Sequence, residues 1–231
     1  MQIVILAGGL ASRLNNITKT IPKSLIKING KSFVEYQLDY LKSQNIIDVI
    51  FCVGHLSDQI ENFLGDGSKF GMNIKFSNDG PNLLGTGGAI KNAIKYLDDD
   101  FFVIYGDSFL PINFNNVLRR FRFQKSIAMM TILKNKNSWD KSNVVFKNNQ
   151  ICLYDKSNFI NEMQYIDYGL TVYKKIIFEN IDESVFDLSQ ILNKLSLKGD
   201  LDYYKVNSRF YEIGSISGIK DFNNYVCKEN L

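Results

Sequence analysis

Gln2-Ile3-Val4-Ile5-Leu6-Ala7-Gly8-Gly9 opens the chain with an apolar, β-branched run that stops at two glycines. Residues 2–7 have the composition of a buried strand, and glycines directly after a strand let backbone amides approach a ligand closely. The run is too short for a signal-peptide core and has no basic flank, and no stretch of 18 apolar residues follows. A cytoplasmic protein is the expectation.

Outward from that strand, short apolar runs alternate with helical patterns. Ser32 and Glu35 have capping-box spacing and open an amphipathic helix to about Ser43. Residues 46–53 form a strand, 57–64 a short helix and 73–77 a strand; Ala89, Ile90, Ala93, Ile94 and Leu97 recur at helical spacing, and 101–105 are an all-apolar strand. This alternation predicts a doubly wound α/β fold on a mostly parallel sheet covered on both faces. In such sheets ligands bind beyond the carboxyl ends of the strands.

The second half changes character. Strands are expected at 127–133, 144–146, 151–154, 166–173 and 203–206, with a hairpin at 147–150 and helices at 187–197 and 216–227. These read as partly antiparallel strands added to the sheet as a substrate-binding lobe. We expect one domain over 1–231, its first half at 1–125 and its second at 126–231.

With 231 residues, 45% of them hydrophobic, the chain can bury a substantial core. A net charge of +3 gives no footprint for DNA or acidic membranes. The basic, aromatic-interleaved run Arg119-Arg120-Phe121-Arg122-Phe123 is read as a solvated helix face whose Phe side chains pack inward. Cys52, Cys152 and Cys227 have neither disulfide-framework nor metal-ligand spacing. His55 is the only histidine, which removes a Ser/His/Asp triad and a His-ligated metal. It is read as a loop residue without a catalytic role, and Trp139 as a packing residue rather than a cover for a ligand. Any catalysis falls to carboxylates, lysines, backbone amides or a hard metal ion.

Three constellations offer such groups. Leu6-Ala7-Gly8-Gly9 with Ser12 and Arg13, followed by Lys23 after Pro22, combines backbone donors, a hydroxyl and positive charge, as a nucleotide triphosphate requires. It matches neither the dinucleotide fingerprint nor the P-loop. Gly85-Thr86-Gly87-Gly88, placed directly before a helix, suits close backbone approach to a base or ribose. Asp107 ends the most hydrophobic strand, where a carboxylate can hold Mg²⁺ against phosphate oxygens. Taken singly, these are also a glycine turn, a helix entry and a loop cap.

In order, LAGGLASRL, PKSL, LGTGGA and YGD resemble the sugar-phosphate nucleotidyltransferase family, the nucleotide-sugar pyrophosphorylases. The resemblance continues through Asp155-Lys156, Ile166-Asp167-Tyr168-Gly169-Leu170 and Tyr211-Glu212-Ile213-Gly214-Ser215. It is strongest to small bacterial enzymes acting on heptose, mannose or N-acetylmuramate 1-phosphate. It implies that Leu6, Ala7, Gly8, Gly9, Ser12, Arg13, Lys23, Gly85, Thr86, Gly87 and Gly88 bind the nucleotide. It implies further that Asp155, Lys156, Asp167 and Gly169 bind the sugar phosphate, that Asp107 and Glu212 share Mg²⁺, and that Arg13, Lys23, Asp107 and Lys156 are catalytic. The partners implied are a nucleoside triphosphate and a sugar 1-phosphate, with no nucleic acid or membrane, in a monomer or homodimer.

Two positions depart from the family pattern: Ala11 replaces a third loop glycine, and Glu212 stands where Asp is usual. Guanylyl transfer to a heptose or mannose 1-phosphate is the leading expectation, with uridylyl and cytidylyl transfer and a noncatalytic nucleotide-sugar binder as alternatives. A metal-dependent glycosyltransferase would not need the Gly-rich loop with Arg13 and Lys23. The length leaves no room for the C-terminal β-helix of larger members, so a catalytic core alone is expected.

Overall fold

The computed structural model describes residues 1–9 and 20–231. In chain order the strands and helices are β1 (Gln2–Leu6), β2 (Lys27–Ile28), β3 (Lys31–Ser32), α1 (Phe33–Ser43), β4 (Asp48–Val53), α2 (Ser57–Leu64) and β5 (Asn73–Asn78). Next come α3 (Gly85–Asn92), β6 (Asp100–Tyr105), β7 (Ser108–Phe109), α4 (Phe114–Gln124), β8 (Ala128–Lys134), β9 (Val144–Lys147) and β10 (Gln150–Tyr154). The chain closes with β11 (Tyr165–Lys174), α5 (Ile176–Glu179), α6 (Leu188–Lys198), β12 (Leu201–Val206), β13 (Tyr211–Glu212) and α7 (Ile216–Glu229).

One nine-stranded sheet dominates, in the order β10-β9-β11-β6-β1-β4-β5, with β8 pairing β11 and β12. β1, β4, β5 and β6 are mutually parallel, whereas β11 runs antiparallel to β6, β8 and β9. The chain moves from β1 outward to β4 and β5, then returns to place β6 on the other side of β1. That reversal is a topological switch point, and it opens a crevice at the carboxyl ends of β1 and β6.

Apolar patterning explains the layering. Ile3, Val4 and Ile5 in β1 are all fully buried because both sheet faces are covered. Val34 and Leu38 of α1, Ile60 of α2 and Phe114, Val117 and Phe121 of α4 pack on one face. Ala89 and Ile90 of α3, Phe178 of α5 and Leu188 and Leu192 of α6 pack on the other. A satellite cluster joins Phe33 and Tyr36 to Phe109, Ile213, Phe222 and Val226, so α7 clamps the β7–β13 pair. The Glu35 carboxylate accepts from the Ser32 amide and hydroxyl at 2.8 and 2.6 Å, which realises the predicted helix start.

Three readings change. The helix expected around 89–97 begins at Gly85 and gives way after Asn92 to a 3-10 turn, Ile94–Tyr96. Phe121 points inward as expected, but Phe123 is 79% exposed, because consecutive odd positions on a 3.6-residue helix diverge. Trp139 is exposed, and its ring carries the Arg209 guanidinium at 3.9 Å rather than sitting in the core. Among the described residues no helix is long and apolar enough to cross a membrane.

Candidate active site

Two cavities open at the carboxyl edge of the parallel strands. The first is lined by Leu6, Ala7, Gly8 and Gly9 after β1, Cys52 and His55 at the end of β4, Asp79 after β5, Gly85 and Thr86 of α3, and Lys23, Tyr105 and Asp107. The second is lined by Lys23, Tyr105 and Asp107 again, together with Asp140, Asn143, Asp155, Lys156, Asp167, Gly169, Glu212 and Gly214. Lys23, Tyr105 and Asp107 therefore form the wall common to both.

Lys23 is set by a single 3-10 turn after Pro22, where the Leu25 amide bonds the Pro22 carbonyl at 3.0 Å. Proline supplies the fixed φ for that turn start. The ammonium reaches across 84 positions of chain to Asp107 Oδ2 at 2.9 Å. Gly106, between β6 and Asp107, is pressed on Ala7: a Cβ there would lie 3.0 Å from the Ala7 Cβ, a contact tight enough to press the two strand ends apart. Glu212 pairs with Ser108 across β7 and β13, and the Ile213 amide donates to the Asp107 carbonyl at 2.9 Å. That ladder brings the two predicted metal carboxylates to one cavity. A Cβ on Gly214 would stand 3.7 Å from Asp107 Oδ2 and 3.8 Å from Lys23 Nζ, so glycine keeps the space beside the pair open.

In the second cavity Lys156 Nζ donates to the Tyr105 hydroxyl at 3.3 Å. Desolvation in the cleft works against the lysine charge, but Tyr105, Asp167 and Asp187 outweigh it and hold its pKa above the ordinary lysine value. Burial pushes the Tyr105 phenol up, so the phenol is protonated at neutral pH and the two carboxylates are the charges that matter there. Burial raises Asp167, with Lys156 and the Gly169 amide pulling the other way. That amide donates to Asp167 Oδ1 at 2.9 Å, across a bulge in β11 where Gly169 takes φ +103°. The Asp167 amide in turn donates to Asn143 Oδ1 at 2.9 Å.

The structure separates the predicted residues. Leu6, Ala7, Gly8, Gly9, Lys23, Gly85 and Thr86 share the first cavity, and Asp155, Lys156, Asp167, Gly169 and Glu212 the second. Gly87 and Gly88 line neither: their amides donate to the Phe186 carbonyl at 3.0 and 3.2 Å, which satisfies the open start of α3. Cβ atoms there would lie 2.1 Å from the Phe186 ring and 2.3 Å from the Ser184 carbonyl oxygen, so these glycines admit the 184–186 segment. Asp155 reaches the cavity wall, yet its carboxylate accepts from the Ser157 and Asn158 amides at 2.7 and 3.0 Å and is occupied in holding its own turn. Ser12 and Arg13, with Ala11, lie outside the described residues.

His55 and Asp79 on the first cavity, and Asp140 and Asn143 on the second, were not singled out as site residues from the sequence. For His55 and Asp79 a signal existed, since both follow parallel strands at the edge where ligands bind. For Asp140 and Asn143 none did: they sit in a loop whose approach to the cavity depends on long-range pairing.

A family model described as nucleotidyl transferase matches residues 2–229. The D-glycero-alpha-D-manno-heptose 1-phosphate guanylyltransferase of Campylobacter jejuni is 33% identical over 181 residues, 78% of this chain and 79% of that protein. The N-acetylmuramate alpha-1-phosphate uridylyltransferase of Neisseria meningitidis is 36% identical over 115 residues, 49% of this chain and 50% of that one. Among solved structures, HddC from Yersinia pseudotuberculosis superposes with a TM-score of 0.80 at 23% identity, covering 97% of this chain and 98% of that one, a likeness of fold. With the match spanning nearly every residue, the chain belongs to the nucleotidyl transferase family.

Proposed function

We propose that the chain transfers a nucleoside monophosphate from a triphosphate to a sugar 1-phosphate and releases pyrophosphate, with guanylyl transfer to a heptose or mannose 1-phosphate as the preferred reaction. The observation that carries this reading is the common wall: Lys23, Tyr105 and Asp107 line both cavities. A nucleotide in the first and a sugar phosphate in the second would present their phosphates to one another at that wall. The heptose 1-phosphate guanylyltransferase relative supports both the reaction class and the choice of base.

The chemistry needs no histidine. A phosphate monoester has a second pKa near ~6, so at neutral pH its oxygen is already an anionic nucleophile. It attacks the α-phosphorus in line, the bond to pyrophosphate breaks on the opposite side, and no proton has to be removed first. Lys156, kept charged by its carboxylate neighbours, holds the incoming phosphate. Lys23 offsets the charge that builds on the α-phosphate and the leaving pyrophosphate, and Arg13 is assigned the same task.

Asp107 and Glu212 suit a hard divalent cation: both residues line one cavity, and Mg²⁺ binds through one or two carboxylates plus substrate phosphates and water. These two residues would hold Mg²⁺, which would supply further neutralisation of phosphoryl charge. Asp167 and Gly169 would face the sugar, on the bulge that turns their side of β11 toward the cavity.

The test is pyrophosphate release by purified protein with Mg²⁺, across GTP, UTP, CTP and ATP and a panel of sugar 1-phosphates. GTP with a heptose or mannose 1-phosphate is expected to turn over fastest. Nucleotide-sugar binding without turnover for any pair would overturn catalysis in favour of a noncatalytic binder.

A further inference from the structure

Residues 135–142, between β8 and β9, form a loop bonded to itself. The buried Asn135 side chain donates to the Asp140 carbonyl at 2.6 Å and to Ser142 Oγ at 3.2 Å, and its Oδ1 accepts from the Trp139 amide at 3.2 Å. From the other end the Ser142 amide donates to Asn137 Oδ1 at 2.8 Å, and Ser142 Oγ accepts from the Asn137 amide at 3.2 Å. A loop closed on itself in this way moves as one body about its base, where the Asn135 and Lys136 amides both donate to the Gln164 carbonyl at 3.0 Å. It brings Asp140, Lys141 and Ser142 to the second cavity, which Glu212 and Gly214 also line.

Trp139 belongs to this loop but does not line the cavity. Its exposed ring carries the Arg209 guanidinium 3.9 Å from the centroid. The same guanidinium lies 4.7 Å from the Tyr211 ring and donates to Asp221 Oδ2 of α7 at 3.0 Å. Tyr211 precedes Glu212 in β13 and stacks on Tyr225 of α7 with ring centroids 4.3 Å apart. Arg209 thus joins the loop on one wall of the cavity to the strand that carries Glu212, without lining the cavity itself. Arginine suits the link, because its planar and permanently charged group stacks on aromatic faces while its edge still donates hydrogen bonds.

A wall made of a loop holds a ligand only as well as the loop is held, and a misplacement of about 1 Å can cost on the order of 10²-fold in rate. We propose that Arg209 is a positioning residue: by clasping Trp139 to Tyr211 and Asp221 it fixes loop 135–142 relative to β13 and so shapes the second cavity for the sugar 1-phosphate. The inference rests on the reading of that cavity as the sugar-phosphate site.

Trp139 is the only tryptophan in the chain, so its fluorescence reports on the clasp directly. In the ligand-free protein, Arg209→Ala should raise acrylamide quenching of Trp139 and speed amide hydrogen exchange over residues 136–143, with exchange in β1, β4 and β6 unchanged. In turnover with GTP and Mg²⁺, its KM should rise fivefold or more for mannose 1-phosphate, or for whichever sugar 1-phosphate of the panel reacts fastest. Its KM for GTP and its kcat should stay within twofold. Trp139→Leu should raise the sugar-phosphate KM likewise, Trp139→Phe, which keeps an aromatic face, should restore most of it, and the Arg209→Ala, Trp139→Leu double variant should be no worse than either single one.

Quenching and loop exchange unchanged in Arg209→Ala would overturn the clasp. A loosened loop with an unchanged sugar-phosphate KM would overturn the positioning role, as would KM values for both substrates rising together or losses that add in the double variant. A loop that loosens as expected in a protein that turns over no sugar 1-phosphate would leave the clasp standing and overturn the reading of the second cavity, and with it this role.

Discussion

Lys23 Nζ donates to Asp107 Oδ2 at 2.9 Å, and it does so on the one wall that both cavities share. The two side chains are 24% and 29% exposed, a setting in which an ion pair contributes about 0–1 kcal/mol to stability. A pair worth so little to the fold, at the meeting point of two cavities, is placed for its charge.

Lys23→Ala should therefore separate activity from stability. Removing an electrostatic stabiliser of a transition state costs about 10²–10³ in kcat. Chemical denaturation should show a change of no more than about 1 kcal/mol. Loss of stability in step with loss of rate would mean that the pair is structural. Asp107→Asn, of similar shape, should likewise keep the fold and lose Mg²⁺-dependent turnover, with unchanged activation by Mg²⁺ counting against the metal assignment.

Lys156 is held charged by the carboxylates around it, its pKa displaced upward. A cation with a raised pKa keeps its charge below the ordinary lysine value of ~10.4 and loses it only as pH climbs through the higher folded value. KM for the sugar 1-phosphate should then be level from about pH 7 to 9, above the second phosphate pKa of ~6 and below the lysine titration. Lys156→Met should raise that KM by tenfold or more while leaving GTP binding intact. A KM that climbs between those pH values in the wild type would contradict the assignment.

Asp79 makes an opposite prediction for stability. Its folded pKa is raised by burial, so the folded state holds the proton more tightly than the unfolded chain does. Its favourable contribution is complete below the unfolded carboxyl value of ~3.9 and is lost as pH rises through the folded pKa. Asp79→Asn, which cannot ionise, should be more stable than the wild type at neutral pH, and the gap should narrow as pH falls toward ~4. Denaturation series at several pH values would show it, and an Asn variant less stable than the wild type at pH 7 would sink the argument.

Gly87 and Gly88 lie next to each other in α3 but meet different obstacles. A Cβ at Gly87 strikes the Phe186 ring, and one at Gly88 strikes the Ser184 carbonyl oxygen. Each alanine substitution should cost about 1–3 kcal/mol through overpacking. Phe186→Leu should recover part of the loss at Gly87→Ala and nothing at Gly88→Ala, since a ring can be shortened and a backbone carbonyl cannot. Equal rescue of both, read by thermal or chemical unfolding, would show that the contacts act otherwise.

Much of the fold was legible because its elements are locally determined. The apolar runs at β1, β4 and β6 and the Ser32–Glu35 cap carry their periodicity and capping chemistry within a few residues of chain. The two-residue strands β7 and β13 were not legible, because pairing Glu212 with Ser108 depends on α7 packing Phe222 against Phe33 and Phe109. The α3 start was misplaced for a related reason. A glycine-rich stretch has weak helix propensity, and it is the Phe186 carbonyl, distant in the chain, that accepts the Gly87 and Gly88 amides.

By itself the sequence determined the doubly wound class and the order of the glycine, lysine and carboxylate motifs. Each depends on residue type and short-range spacing. Only the tertiary structure decided that Lys23 touches Asp107, that Gly87 and Gly88 serve packing while Gly85 and Thr86 line the cavity, and that Asp79 offers an unsatisfied oxygen there. Those are statements about which atoms are left near one another once strands distant in the chain have paired. Burial, which sets the cost of an unmet hydrogen bond and the pKa of a carboxylate, arises only from that pairing.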